Sequence, residues 1–120
     1  MNKKTVVIGA SAKQDRYSNR AVRMLHKGGH NVIALGFEHA MIENIPIETD
    51  WKTYENIDTV TLYVNPQRQK EYYNYILSLK PKRVIFNPGT ENPELEQLCF
   101  DNNIQPLEAC TLVLLTTLQY

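Results

Sequence analysis

Short runs of β-branched and other apolar residues recur along the chain. Val6, Val7 and Ile8 form the first run, which is typical of a parallel strand buried on both faces. Comparable runs predict further strands at residues 31–35, 59–64, 83–86 and 104–107, and a short edge strand at residues 45–47.

Between these runs, apolar residues recur at the three- and four-residue spacing of amphipathic helices. The first such segment carries apolar positions from Ala21 to Leu25. We expect Ser18 or Asn19 to cap this helix and Gly28-Gly29 to end it.

Asn-Pro pairs at residues 65–66 and 92–93 predict the starts of two more helices, because proline is favoured at the first helical position. Residues 51–54 are expected to form a helical turn, and the apolar tail at residues 109–118 predicts a final helix. Strands that alternate with helices in this way predict an α/β fold. We expect residues 1–120 to form a single domain, a Rossmann-like three-layer sandwich with a central parallel sheet of about five strands.

Charge is distributed very unevenly along a chain whose formal net charge is zero. Residues 1–30 hold seven basic residues and one acidic residue, and the rest of the chain holds six basic and twelve acidic residues. Three of the seven early bases, Arg20, Arg23 and Lys27, lie on the first predicted helix, where a solvated face explains them. Lys13 and Arg16 lie in the turn before that helix, so they can reach an anion at the helix N-terminus.

Composition narrows the classes of partner. No apolar run approaches the roughly 18 residues of a membrane span, and no basic cluster beyond the first helix suggests nucleic acid. Cys99 and Cys110 form neither a disulfide framework nor a zinc pattern, and both are expected to be buried. We therefore expect a cytoplasmic protein with a small-molecule ligand and no metal, and a homodimer stays open.

Turn-forming residues follow four of the predicted strands, at the edge of the sheet where ligands bind in open parallel sheets. They are Gly9-Ala10-Ser11, Gly36-Phe37, Asn65-Pro66 and Pro88-Gly89-Thr90. Each group alone is common in such folds, but their convergence on one edge indicates a binding site.

The glycine pattern of dinucleotide-binding dehydrogenases is incomplete in this chain. Ser11 and Gln14 stand where that motif needs glycines, and no acidic residue ends the second strand. Glu38, three residues past Leu35, could still reach a ribose. An NAD(P)-binding enzyme or redox sensor therefore stays open, as does an interaction scaffold without a ligand.

Several segments taken together resemble the stand-alone CoA-binding domain proteins, relatives of the N-terminal CoA-binding domain of the succinyl-CoA synthetase alpha subunit. The segments are GAS before KQDRYSNRAVRML, LYVNP, FNPGTENPE and EACTLVLL. Relatives often have Asn-Pro after the second strand, where this chain has Gly36-Phe37. The phosphohistidine of the synthetase belongs to another domain, so acyl-ligase activity is not implied.

The resemblance implies that the nucleotide part of CoA or an acyl-CoA is held by the first turn and the ends of the second to fourth strands. From the residues and the resemblance together, we expect no catalytic residue and the following ligand contacts: Gly9, Ala10, Ser11, Lys13, Arg16, Tyr17, Ser18, Gly36, Phe37, Val64, Asn65, Pro66, Gly89 and Thr90.

Overall fold

The protein, described over residues 2–120 by a computed structural model, has a central sheet of seven strands within that range. The strands are β1 (Thr5–Ala10), β2 (Val32–Gly36), β3 (Ala40–Ile42), β4 (Ile45–Glu48), β5 (Thr59–Leu62), β6 (Arg83–Phe86) and β7 (Gln105–Glu108). Their spatial order is β3-β4-β2-β1-β5-β6-β7, and only the β3–β4 pair is antiparallel. The expected count of about five is slightly too low: the short edge strand predicted at residues 45–47 is confirmed as β4, and β3, which pairs with it, was not predicted.

Helices cover both faces of this sheet. They are α1 (Tyr17–Lys27), α2 (Pro66–Gln69), α3 (Tyr73–Ser78), α4 (Pro93–Asp101) and α5 (Thr111–Thr116), and a 3₁₀ turn at Lys70–Tyr72 joins α2 to α3. Alternate residues of β1 point to opposite faces, as the pleat requires. Val7 packs with Val22 of α1 on one face, whereas Val6 and Ile8 pack with residues of α3 and α4 on the other. The predicted Rossmann-like three-layer fold is confirmed.

Tertiary contacts override two local predictions. Arg16, not Ser18 or Asn19, is the N-cap residue of α1, and it makes no side-chain capping bond. Asn19 lies inside the helix, and its side chain donates a hydrogen bond to the Ser11 carbonyl in the turn before the helix. Residues 51–54 form no helical turn, and instead the indole Nε1 of Trp51 donates to the Gly36 carbonyl at 3.2 Å.

The topology places a crevice between β1 and β5. The chain runs from β1 toward β2 on one side, and from β5 toward β6 on the other. Strand order therefore reverses between these two neighbours, and a parallel sheet opens at its carboxyl edge at such a point. The loops that follow β1, β2 and β5 all begin at this edge.

Candidate functional site at the switch point

A groove of about 430 Å³ occupies the carboxyl edge at this reversal. It is formed by the turn after β1, the start of the loop after β2, the β3–β4 hairpin, and the chain from the end of β5 into α2. Its lining residues are Gly9, Ala10, Ser11, Ala12, Lys13, Arg16, Phe37, Glu38, Ala40, Ile47, Tyr63, Val64, Asn65 and Arg68.

Gly9 sets the shape of the groove floor. Its φ is +97°, and a Cβ added there would lie 2.9 Å from the carbonyl oxygen of Tyr63. The β1–β2 register also shifts between Ile8 and Ala10, as in a bulge. A side chain at Gly9 is thus excluded by the residue that follows the neighbouring strand β5.

The turn at residues 11–16 is tied to α1 by side chains. The buried Asn19 donates its Nδ2 to the Ser11 carbonyl at 2.8 Å and accepts from Arg23 Nε at 2.7 Å. Arg23 also donates from Nη2 to the Gln14 carbonyl at 3.2 Å. The Ser11 hydroxyl oxygen accepts from the main-chain N–H of Lys13 at 3.2 Å. These bonds hold the turn before any ligand arrives, which lowers the ordering cost of binding.

The N-terminus of α1 lies at this end of the groove, because its N-cap residue Arg16 lines the groove. Its first internal bond runs from Arg20 N to Arg16 O at 3.1 Å, so the N–H groups of residues 17–19 have no acceptor within the helix. Lys13 and Arg16 are exposed at the same end. Within residues 2–120 the one ion pair is Lys82–Asp58, so neither cation has a carboxylate partner there. Helix dipole and side chains together favour an anion.

An aromatic cluster also borders the groove, through Phe37. Phe37, 41% exposed, lies with its ring centroid 5.7 Å from that of Trp51 and 6.1 Å from that of Tyr72. The guanidinium of Arg68 lies 3.8 Å above the centroid of the Phe37 ring. This part of the site combines an apolar platform with a cation.

Eight of the fourteen predicted contact residues line the groove: Gly9, Ala10, Ser11, Lys13, Arg16, Phe37, Val64 and Asn65. The other six, which are Tyr17, Ser18, Gly36, Pro66, Gly89 and Thr90, do not line it. Gly36 is buried, and a Cβ there would lie 2.6 Å from the Ala10 carbonyl, so its role is to pack β2 against β1.

The loop after β6 supports the groove indirectly. The Thr90 side chain is buried and donates to the Asn87 carbonyl, and the Thr90 carbonyl accepts from the buried Gln69 Nε2 at 2.8 Å. Gln69 donates also to the Val64 carbonyl at 2.9 Å. Gly89 is exposed, with φ of +91°.

Sequence reasoning missed five parts of the lining: Ala12, Ala40, Ile47, Tyr63 and Arg68. Ala40 belongs to β3, which carries no clear strand pattern, whereas Ile47 belongs to the predicted edge strand, which was not expected to reach the site. Arg68 could have been found, because a helix that starts at Pro66 places its third residue beside the strand end.

Burial governs the other reactive side chains. It raises the pKa of the Tyr63 phenol well above its usual range, so Tyr63 stays protonated beside the groove. It also raises the pKa of the Cys99 thiol to about 11. Cys99 is buried, as predicted, whereas Cys110 is half-buried at the N-cap of α5, so its predicted burial is only partial. Among residues 2–120, no three His, Cys, Asp or Glu side chains are grouped so that they could hold a metal, and no helix is long and apolar enough to cross a membrane.

Comparisons with known proteins identify a family model and similar solved structures. A family model described as a CoA-binding domain matches residues 3–116. A crystal structure described as that of an uncharacterized protein is 47% identical, and the match covers 100% of this chain and 99% of the other with a TM-score of 0.97. None of the curated proteins matches the chain.

Two more distant solved structures share the fold. A hypothetical protein from Pyrococcus horikoshii OT3 is 22% identical, with a TM-score of 0.81 over 92% of this chain and 80% of that one. A protein from Thermus thermophilus is 18% identical, with a TM-score of 0.82 over 98% and 91%. At these identities the likeness concerns the fold alone.

Proposed function

We propose, since this chain belongs to the family of CoA-binding domains, that it binds CoA or an acyl-CoA in the groove between β1 and β5. The observation that carries the proposal is the meeting of the α1 N-terminus with Lys13 and Arg16 at one end of that groove. The ligand's pyrophosphate accepts hydrogen bonds from the first-turn N–H groups, and the two side chains supply charge.

The shape of the site supports a nucleotide rather than a single phosphate ion. The groove is lined by Lys13 and Arg16 and also by Phe37, which is 41% exposed and carries the guanidinium of Arg68 over its ring. Nucleotide ligands need both a cradle for phosphates and an apolar surface for the base. Binding, without catalysis by the chain itself, is the activity that we propose.

Two measurements test this function. The first is a thermal-shift screen with CoA, acetyl-CoA, NAD, NADP and ATP, in which a ligand at 100 times its Kd adds about 2.7 kcal/mol of stability. We expect the largest shift with CoA or acetyl-CoA. Shifts of equal size with all five ligands, or none with CoA, contradict the proposal.

The second measurement is calorimetry on a charge-matched pair of double variants. Lys13→Ala with Arg16→Ala removes two groove cations, and Arg20→Ala with Lys27→Ala removes two exposed cations of α1 that do not line the groove. One lost charge-assisted contact lowers affinity about ten- to a hundredfold. We expect such a loss for the first pair only. Equal losses in both pairs would mean that net charge, not the site, attracts the ligand.

Glu38 favours NAD(P) binding as a second candidate. It is one of the groove-lining residues and lies two residues past the end of β2. A carboxylate there accepts hydrogen bonds from a ribose that carries free hydroxyls. A larger thermal shift with NAD than with CoA would favour this candidate.

A further inference from the structure

We propose that Arg68, held against Phe37, forms a second anion subsite that recognises the ribose 3′-phosphate of CoA. This phosphate distinguishes CoA from dephospho-CoA, so Arg68 would determine selectivity between the two. The inference rests on the proposed function, because it concerns a ligand of the same groove.

Arg68 reaches the groove from a different element than the other two cations. Lys13 and Arg16 belong to the turn after β1, whereas Arg68 belongs to α2, which follows β5. A ligand with one phosphate group would need only the cations of the turn after β1. A cation at a second position is complementary to a ligand whose phosphates are separated, as the pyrophosphate and 3′-phosphate of CoA are.

The main chain of Arg68 is fixed by the cap of α2. The Asn65 side chain accepts a hydrogen bond from the Arg68 N–H at 2.9 Å, and Asn65 itself lines the groove. A capping bond of this kind sets the first helical turn. The Cα of Arg68 is therefore held beside the strand end.

The side chain of Arg68 is fixed by stacking. Its guanidinium lies 3.8 Å from the centroid of the Phe37 ring, and the rings of Trp51 and Tyr72 lie next to Phe37, with centroids 5.7 and 6.1 Å away. A stacked guanidinium keeps its edge N–H groups available, and these are the groups that pair with phosphate oxygens. Arg68 has no ion-pair partner among residues 2–120, so its charge is not neutralised within the part of the chain that the structure describes.

The stacking also explains why the loop after β2 has an aromatic residue. Phe37 offers 41% of its surface to solvent although an aliphatic or polar residue would fit an exposed loop equally well. Its contact with Arg68 gives the ring a positioning role. Loss of the ring should weaken 3′-phosphate recognition while leaving the cation present.

The test is calorimetric titration of the parent and three variants with CoA and with dephospho-CoA. Arg68→Ala removes the cation, Phe37→Leu removes the stacking and keeps an apolar side chain, and Arg20→Ala removes an exposed cation outside the groove as the matched control. We expect the parent and the control to prefer CoA about tenfold or more. Arg68→Ala should lose most of that preference by binding CoA more weakly, with dephospho-CoA affinity unchanged, and Phe37→Leu should lose part of it.

Three results would overturn the inference. They are equal affinity of the parent for the two ligands, an Arg68→Ala variant that keeps the full preference, and one that loses affinity for both ligands by the same factor. In all three cases tight binding of CoA by the parent would leave the proposed function standing. If the parent binds neither ligand, the proposed function fails, and this inference fails with it.

Discussion

The α-carbon of Gly9 lies so close to the carbonyl of Tyr63 that a Cβ would stand 2.9 Å from that oxygen. Real Cβ atoms do not approach backbone oxygens so closely, and the oxygen belongs to a strand end that is bonded through Tyr63 N to the Ile8 carbonyl at 2.8 Å. The end of β5 therefore cannot move away without breaking that bond. The floor of the groove depends on this contact.

Gly9→Ala should destabilise the protein by roughly 2–4 kcal/mol, because it adds a steric clash to the strain of a positive φ. The matched control is Gly29→Ala, since Gly29 has φ of +86° but no atom within 4 Å of an added Cβ. That variant should lose only about 1 kcal/mol, the cost of the backbone conformation. Urea denaturation of both measures the difference. Equal losses would show that the contact with Tyr63 costs nothing.

Asn19→Ala should loosen the turn before α1 and weaken ligand binding. The Ser11 carbonyl and the Arg23 side chain would each lose a partner, at about 0.5–1.5 kcal/mol of stability for each of these partly buried hydrogen bonds. Arg20→Ala, one residue further on and exposed, should change stability little. Chemical denaturation gives the first quantity and calorimetry with CoA the second. An Asn19→Ala variant that binds CoA as tightly as the parent would show that the turn needs no support.

His30 should make stability depend on pH. Its Nδ1 accepts from the Lys3 main-chain N–H at 2.9 Å, which requires that this nitrogen carry no proton. Burial, and then nearby cations including Lys3 and Arg83, lower its pKa below the ordinary 6.5. The contribution of His30 is therefore complete above about pH 6.5 and is lost as the pH falls through the lowered pKa.

Thermal unfolding between pH 7 and pH 5 tests this expectation. His30→Asn keeps an acceptor oxygen near the position of Nδ1 but does not titrate, so its Tm should fall less than that of the parent over this range. His26→Asn alters an exposed histidine on α1 and should retain the slope of the parent. A His30→Asn variant with the parent's slope would assign the pH dependence to other groups.

Glu38→Gln should distinguish the two candidate ligands. Since Glu38 lines the groove, its charge opposes the phosphates of CoA, and its removal should tighten CoA binding by up to about fivefold. The same change should weaken NAD binding, because a neutral amide is a poorer acceptor for ribose hydroxyls than a carboxylate. Competition titrations with both ligands give the two values. A loss of NAD affinity in the variant, with no measurable CoA binding in either protein, would favour NAD as the ligand of the groove.

The sequence correctly predicted those helix and strand ends that depend on residues next to them in the chain. The strand at Arg83–Phe86 is confirmed at both ends, and the helix starts at Pro66 and Pro93 are confirmed with capping asparagines. Gly28 ends α1 as expected. In each case a β-branched run, a proline or a glycine carries the information within a few residues.

The sequence predictions are wrong or incomplete where the local structure depends on contacts with other parts of the fold. The three residues of β3 have no clear strand pattern and are held by pairing with β4. Asparagine is a residue type typical of helix N-caps, but Asn19 lies within the helix and donates a hydrogen bond to the Ser11 carbonyl. Arg68 and Phe37 are 31 positions apart in the sequence, so no local pattern indicated that they stack. The strand-end rule located the groove, but it could not identify which loop residues face into it.

The side chain of Gln69 links the loop after β5 to the loop after β6 by hydrogen bonds. One fully buried amide donates to the Val64 carbonyl and to the Thr90 carbonyl, and it accepts from Asn92 at 2.9 Å. Neither loop can be lengthened, exchanged or displaced without opening bonds to the other. An engineer who grafts a new segment at residues 87–92, away from every lining residue, would therefore also reshape the wall that Val64 contributes to the groove.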